Sequence, residues 1–559
     1  MDDAERQFRA KLSRQSTSLR AAVREYRRRY GRAPPRGFDA WWAFARAHGV
    51  KMVDEYDGLA ADLAPFWNMS GAEFRRLANQ AAHELPSVDV VRIRSGIVEA
   101  IKLSAGAEPD EVGMRARGFL RMLAKFKNAL PDMDFVINAR SEGRVLVPWE
   151  NQKYPNISTV DVETRSVQST LHIPDWRGEG SVWDAFRHIC PPESPARRLL
   201  SSLRAHSARS PSAYFALPAT AHDADFRFAR GGGGRFDFCA QPWAHGTQGH
   251  FFSDWRTAAL PFPVLSPAKA PGFGDIRVPS HYYHGTTRRY TYAWDDVNQE
   301  IKAIDSVETP WEQKSDRIFF RGATTGGGSS PPGFSPEYQR HRFVRMATAD
   351  DESNRTLVFA DPPGSSRYVF AKLPARLLQP TLDAAFVASV DHLNYPGGLE
   401  QEMRDHRFDD AVLLRDHWAH KYVLDLDGAS YSGKFFAYLE SDSAVLKASV
   451  YEEFYSDWIQ PWLHYIPLSS SYREIYNIHA FFSGVPEAVL EHVNSSSLTM
   501  PEEERRPLDG DRRLRRIARA GKQWRRTIGR QVDMEAYVYR LCLEYARLWA
   551  DDREKMSYR

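Results

Sequence analysis

Apolar positions recur at two spacings along this chain, and the changes from one to the other divide it. Residues 1 to about 32 repeat with helical period and close on the basic run Arg27-Arg28-Arg29-Tyr30-Gly31-Arg32, ahead of the breaker Pro34-Pro35. From Gly37 to Asn79 the helical period continues, with Phe38, Trp41, Trp42, Phe44 and Ala45 on one stripe. Between about 90 and 300 the apolar runs shorten, as in Val90-Val91-Arg92-Ile93 and Phe135-Val136-Ile137, and alternate with helical and Pro-rich segments, which predicts an irregular α/β region. Past 300 the order sharpens. Arg317-Ile318-Phe319-Phe320 predicts a strand, Pro336 to Ala347 a helix, Val423, Leu424 and Leu426 a buried strand, and Ala444 to Val450 another. The last stretch returns to helix, through Leu514, Ile517, Ala518 and Trp524 and then through Tyr537, Leu541, Tyr545 and Leu548. The expected division is an N-terminal helical region (1–89), a first α/β domain (90–300), a second (301–500) and C-terminal helices (501–559).

The strongest candidate chemistry lies from His420 to Phe435, where a buried strand runs into a small-residue turn and a helix start. Gly428 and Gly433 let backbone approach a ligand, while Ser430, Ser432 and Lys434 bring hydroxyl and ammonium donors, the set a phosphate requires. A second unit has the same order: the strand at 317–320, the loop Arg321-Gly322-Ala323-Thr324-Thr325-Gly326-Gly327-Gly328, then a helix. That order suits a nucleotide, although the loop lacks a GxGxxG fingerprint. The run Gly231 to Gly234 has no Lys-Ser/Thr pair after it and is expected to be a turn.

Composition narrows the classes. With 42% hydrophobic and 13% aromatic residues the chain is globular, and a net charge of +3 over 559 residues argues against a dedicated nucleic-acid binder. The basic helix from Arg512 to Arg530 suits a membrane or polyanion in principle; packing across the first domain is the preferred reading. No stretch reaches the length of a membrane span, and Met1-Asp2-Asp3-Ala4-Glu5 is too charged for a signal peptide. Three cysteines leave room for one bridge, Cys190 to Cys239, with Cys542 a buried thiol inside a helix pattern. Asn68, Asn156, Asn354 and Asn494 each open an N-glycan acceptor tripeptide, which matters only in the secretory pathway.

Beyond the strand at 444–450 come Glu452-Glu453-Phe454-Tyr455, Trp458 and Pro461-Trp462-Leu463-His464-Tyr465-Ile466-Pro467-Leu468. With the 420–435 stretch these resemble the signature of glycosyltransferase family 90, which holds the protein O-glucosyltransferases and the fungal capsule-associated xylosyltransferase-like proteins, and the likeness is nearer the fungal branch. The wording from Tyr30 to Trp42, the loop from Phe319 to Gly327 and the segment Asp275 to Tyr283 are similar to the family too, so the resemblance covers roughly residues 30 to 555. It implies an inverting enzyme of two facing Rossmann-like domains, the GT-B arrangement, with N-terminal helices and C-terminal helices packing back across. The second domain would hold a UDP-sugar through Arg321, Gly322, Thr324, Thr325, Asp427, Gly428, Ser430, Ser432, Lys434, Phe435 and Glu453. The sugar implied is xylose or glucose, passed to a hydroxyl of a glycan or glycoconjugate, with no cofactor beyond the UDP-sugar, no metal and no nucleic acid. The implied compartment is the secretory-pathway lumen, the Golgi first, with any N-terminal anchor lying outside this chain; a chain lacking anchor and signal altogether would be cytoplasmic.

Three positions depart from that pattern. The family's base lies in a motif similar to Asp132-Met133-Asp134-Phe135-Val136-Ile137-Asn138-Ala139-Arg140-Ser141-Glu142-Gly143-Arg144, and Ser141 stands where its aspartate is expected. A serine hydroxyl accepts no proton near neutral pH without a base of its own. Two accounts stand side by side: Glu142 is redirected as base because Gly143, in place of the usual proline, loosens the loop, or the chain is a degenerate UDP- or carbohydrate-binding member. Lys434 replaces the usual arginine, keeping the charge and losing the bidentate fork. Asp425 and Asp427 share a strand face as a metal pair would, but bonding ribose or capping the loop is preferred.

Overall fold

The computed structural model describes residues 1–104, 112–152, 171–172, 182–198, 257–285, 294–295, 300–301, 308–326, 338–348, 353–362, 365–390, 395–495 and 509–559, with short stretches at 225–226, 228–231, 237–240, 242, 248–249 and 393. Gly232 to Gly234, Gly327, Gly328, Pro336 and Asn156 lie outside the described residues.

The two long helical patterns at the start are broken into shorter helices by local chemistry. Asp2–Ser13 and Leu19–Tyr30 are separated at Ser18, whose hydroxyl accepts the Ala21 N–H, and the second ends at Gly31 with φ +66°. The stripe expected over 37–79 forms three helices, Phe38–Ala47, Asp57–Leu63 and Gly71–Glu84. Ser70 begins the third by accepting the Glu73 N–H at 3.1 Å.

A first five-stranded sheet runs in the order Ile97–Lys102, Val88–Arg94, Met133–Asn138, Val264–Ser266, Ile276–Arg277. It is mixed rather than Rossmann-like throughout: the first three strands pair antiparallel and the last three parallel. The cause is a hairpin through Ser95 and Gly96, both at positive φ (49° and 78°), which is the geometry of a two-residue primed turn.

The second sheet is parallel throughout, in the order Leu382–Ala388, Ser315–Ala323, His420–Leu426, Ala444–Ala448, Ile466–Pro467. The chain leaves the strand 315–323, adds 382–388 on one side, then crosses to place 420–426 on the other. The boundary between 315–323 and 420–426 is therefore a topological switch point, where loops leaving the carboxyl ends diverge and leave a crevice for a ligand. Tyr422, Leu424 and Leu426 face a core with the helices Gln339–Thr348, Ile475–Ser483 and Asp509–Thr527, as a strand buried on both faces requires. On the opposite face Val423 and Val445 join a larger core with Tyr431, Phe435, Tyr455 and the first sheet. Glu452-Glu453 also pairs antiparallel with Ala268-Lys269.

Of the C-terminal helices, Gln531–Trp549 packs across the first half as expected, while Asp509–Thr527 lies instead on the second sheet, against Ala444–Ala448 and Ile475–Ser483, because its apolar stripe through Leu514, Ile517 and Ala518 completes that core. Gln531–Trp549 lies against the N-terminal helices, where Trp41 donates to the Ala536 carbonyl at 2.9 Å and Phe126 stacks on Tyr539 with centroids 4.3 Å apart. The basic face of Asp509–Thr527 is answered within the chain: Arg515 pairs with Glu312, Arg516 with Glu5, Lys522 with Glu308 and Asp442, and Arg525 with Glu440. Cys190 and Cys239 form a disulfide and Cys542 is a buried thiol.

Candidate functional site

Both Gly-containing loops singled out in the sequence leave the carboxyl edge of the second sheet at the switch point, and two neighbouring side chains lock them together. Arg340, in the first turn of Gln339–Thr348, donates to the carbonyls of Ala323 (2.9 Å), Leu426 (3.1 Å) and Asp427 (2.9 Å) and to the Thr325 hydroxyl (2.5 Å). Gln339 donates to the Gly428 carbonyl at 3.0 Å and accepts the Gly249 N–H at 2.9 Å. The fit leaves no space for a side chain at Gly326: at φ +84° its Cβ would fall 2.5 Å from the Gly428 oxygen. Gly322 lies near the end of the strand Ser315–Ala323, and Thr324 opens the loop after it, accepting the Val390 N–H at 2.9 Å. Sequence reading missed Gln339 and Arg340. Their signal was available in the donor-rich run Gln339-Arg340-His341-Arg342, ten residues beyond the glycine loop.

In the second loop the Gly428 N–H donates to the Ser430 carbonyl at 2.8 Å, turning the chain back on itself, and Ser430 and Ser432 are buried. Lys434 begins the short helix Phe435–Tyr438 and extends its ammonium to the Arg321 carbonyl at 2.6 Å, so the two predicted cations meet. Arg321 does not point into the loop with its charge. Its guanidinium bridges Asp383 (2.9 Å) and Asp409 (3.0 Å) and lies over the Phe319 ring at 4.5 Å. Phe435 is fully buried, stacked on Tyr455 with the Lys447 ammonium 4.2 Å from its ring centre.

Beneath this loop sits a buried charge cluster. Lys447 pairs with Asp425 at 2.7 Å and approaches Glu453 at 3.7 Å; Glu453 accepts the Tyr455 hydroxyl at 2.5 Å, and Asp427 accepts the Val450 N–H at 2.8 Å. Burial pushes the carboxyls of Asp427 and Glu453 each up to about 7, against the pull of Lys447. Asp425 and Asp427 therefore have different neighbours: an ammonium for one, a backbone amide for the other. His464, read from the sequence as a packed histidine, accepts the Gln460 N–H at 2.9 Å, and burial lowers it to about 3.

The expected base loop closes the strand Met133–Asn138 of the first sheet. It is held rigidly, contrary to the expectation that Gly143 loosens it. Asn138 donates to the Glu142 carbonyl at 2.7 Å and to Ser266 at 3.1 Å, and accepts the Arg140 N–H at 3.0 Å. The buried carboxylate of Asp275 accepts the N–H groups of Arg144 (3.1 Å) and Val145 (3.0 Å) and the Ser266 hydroxyl (2.6 Å). Gly143 is needed for space, since a Cβ there would come within 2.2 Å of the Phe273 ring. The Ser141 hydroxyl accepts from Arg115 at 3.0 Å.

Two tyrosines tie the segment 280–283 to the loop 427–434, and a third lies beside that loop. Tyr431 shares a hydrogen bond with Ser280 at 2.6 Å, and Tyr283 donates to the Ser432 carbonyl at 2.8 Å; Ser280 and Tyr283 belong to the segment 275–283 that resembles the family. Tyr451 is buried with its hydroxyl 3.5 Å from the Ala429 carbonyl, and burial together with the carboxylates of Asp427 and Glu142 raises its phenol well above the usual range. The Tyr451 phenol feels both Asp427 and Glu142, which sets Glu142 within electrostatic reach of the loop 427–434, whereas Arg321 and Phe435 serve the framework around it.

Known proteins resemble this chain in the second sheet. The sequence profile described as Glycosyl transferase family 90 matches residues 376–483, the stretch that carries the phosphate loop and the buried cluster. O-glucosyltransferase rumi of Drosophila melanogaster is 24% identical over 229 residues, 39% of this chain and 45% of that protein. The O-glucosyltransferase rumi homolog of Aedes aegypti is 26% identical over 239 residues, 41% and 48% of the two chains. Protein O-glucosyltransferase 2 of Danio rerio is 28% identical over 139 residues, 24% and 23%. The matched stretch spans about half the length or less of each of these curated relatives. The resemblance read from the sequence stands: residues 376–483 match the glycosyltransferase family 90 profile, and the chain is similar to the protein O-glucosyltransferases over part of its length.

Proposed function

We propose that this chain is an inverting, GT-B-type glycosyltransferase that moves a sugar from a UDP-sugar to a hydroxyl of a glycan or glycoconjugate. One juxtaposition carries the reading. Tyr451 feels the carboxylate of Glu142 from the first half and lies against Ala429 of the phosphate loop, so a candidate base and a candidate diphosphate cradle are near neighbours. Inversion needs a carboxylate to take the acceptor's proton as its oxygen attacks the anomeric carbon, on the face opposite the leaving UDP. Glu142 has the chemistry for that step. Ser141 does not, because a neutral hydroxyl takes no proton near neutral pH without a base of its own. On the other side, the Gly428 to Lys434 loop with Ser430, Ser432 and Thr325 offers donors to the diphosphate, and Asp427 and Glu453 offer carboxyls to the ribose hydroxyls. The donor sugar is xylose or glucose; the relatives' names, O-glucosyltransferases, weigh toward glucose. The disulfide and the exposed asparagines 68, 354 and 494 of the acceptor tripeptides suit a secretory-pathway lumen, with the Golgi the first choice.

A second reading, a UDP- or carbohydrate-binding member without turnover, has its own support in the Ser141 to Arg115 bond and in the ion pairs that occupy Arg321. Release of UDP from a panel of UDP-sugars, with and without sugar acceptors and with EDTA controls, separates the two. Acceptor-dependent release that falls at least about 100-fold in Glu142→Gln, with UDP affinity unchanged, is the expected result. UDP binding with no release from any donor would favour the binding reading, and full activity in the glutamine variant would remove Glu142 as base.

A further inference from the structure

We infer that Arg115 binds an oxyanion of the substrate at this junction, either the donor's diphosphate or a carboxylate carried by a sugar. The substrate's identity rests on the glycosyl-transfer reading; the oxyanion site itself does not. Arg115 lies in the first turn of Met114–Leu123, which follows Gly113 at φ +67°. One arm of its guanidinium donates to Ser141 at 3.0 Å, and the other, Nη1, is buried without a hydrogen-bond partner. Ser141 is neutral, and among the described residues Arg115 forms no ion pair; the buried carboxyl of Asp89, which bonds Ser104, feels its charge. The same charge opposes the effect of burial on the phenol of Tyr431, inside the phosphate loop, so Arg115 reaches from the first half toward the second.

The other cations around the loop are engaged by protein. Arg321 bridges two carboxylates, Arg340 bonds three carbonyls and a hydroxyl, and Lys434 bonds the Arg321 carbonyl. A planar guanidinium with one arm fixed and one arm open recognises a phosphate or carboxylate in a set orientation. Arg115 thus supplies charge to a loop whose own cations are already spoken for, and it does so from the side that carries Glu142.

The test is calorimetric titration of the intact chain, Arg115→Met and Arg115→Lys with UDP, uridine, inorganic pyrophosphate, glucuronate and glucose, with melting temperature measured in parallel. The expected result is at least a tenfold loss of affinity for an anionic probe in the methionine variant, with uridine and glucose unchanged and partial recovery in the lysine variant. Loss for UDP and pyrophosphate identifies the diphosphate; loss for glucuronate identifies a sugar carboxylate. Pyrophosphate binding that depends on Arg115 in a chain that ignores uridine and UDP would sink the glycosyl-transfer reading and keep the oxyanion site. Equal affinity of parent and both variants for every anion, or no anion binding by the parent, overturns the inference. Should the methionine variant melt early, the lysine variant alone decides by its loss of fork geometry.

Discussion

Each of the two loops that meet at the junction is organised around one buried carboxylate, and the two carboxylates are used differently. Asp275, beneath the loop 138–144, spends its acceptor capacity on that loop: two backbone amides and the Ser266 hydroxyl. Asp427, at the head of the loop 427–434, takes the Val450 amide on one oxygen and leaves Oδ1 without a hydrogen-bond partner, beside Asp425, Lys447 and Glu453. The first is an anchor. The second keeps capacity in reserve and sits near its neutral point, which suits a surface that must accommodate a charged ligand. The rigid side presents the candidate base and the titrating side presents the phosphate donors.

The sharpest way to break the contrast is to unlock the second loop. Arg340→Ala removes every bond between the guanidinium and the carbonyls of Ala323, Leu426 and Asp427, leaving three inward-facing acceptors unsatisfied. The expected loss is about 3 kcal/mol or more in a urea unfolding series, together with loss of UDP binding. A variant that unfolds like the parent would mean the loops hold their positions without this residue. Next in size is a change on the rigid side. Gly143→Ala drives a methyl into the Phe273 ring and should cost about 2 kcal/mol, recovered in part by adding Phe273→Leu, since the two sites share one contact. If Gly143→Ala is neutral, the base loop is looser than its hydrogen bonds suggest, and Glu142 has freedom to move.

The two loops also differ in how far they can be read from sequence. The strand at 420–426, its glycine turn and the helix start at Lys434 are contiguous, and their chemistry is local: buried alternation, small residues, then donors. The same holds for the strand, loop and helix from 315 to 348 and for the C-terminal helix. What anchors the base loop is not local. Asp275, Ser266 and Phe273 arrive from about 130 residues along the chain, and Arg115 from the preceding helix. From sequence, Gly143 looked like a site of freedom because the ring it packs against was invisible. Arg321 misled for the same reason: a cation at a strand end reads as a phosphate ligand until Asp383 and Asp409 appear beside it. The three-way break of the 37–79 helical pattern was closer to legible, since Gly49 and Ser70 are standard stop and start residues that the apolar stripe overrode.

The smallest effect concerns the reserve carboxyl and is a matter of pH. The Asp427 carboxyl titrates at about 7 in the folded chain, because burial outweighs Lys447, the Ser449 hydroxyl and the Val450 amide, and near 3.9 once unfolded. Between those values the native state holds a proton that the unfolded chain has released. The stability it contributes is complete below about pH 4 and is lost as pH rises through 7. Asp427→Asn removes this titration while keeping shape and an acceptor oxygen for Val450. From about pH 5 to about pH 7 the parent should therefore lose stability relative to the variant, with a slope of at most about 1.4 kcal/mol per pH step of one. Glu453→Gln should act in the same direction, since burial raises that carboxyl to the same value. A bound UDP-sugar that hydrogen-bonds the Asp427 carboxyl would move this window, so repeating the series with UDP present tells whether the reserve oxygen meets the ligand. An unchanged pH profile in both variants, with and without UDP, would leave the Asp427 carboxyl without a reserve role and erase the contrast between the two loops.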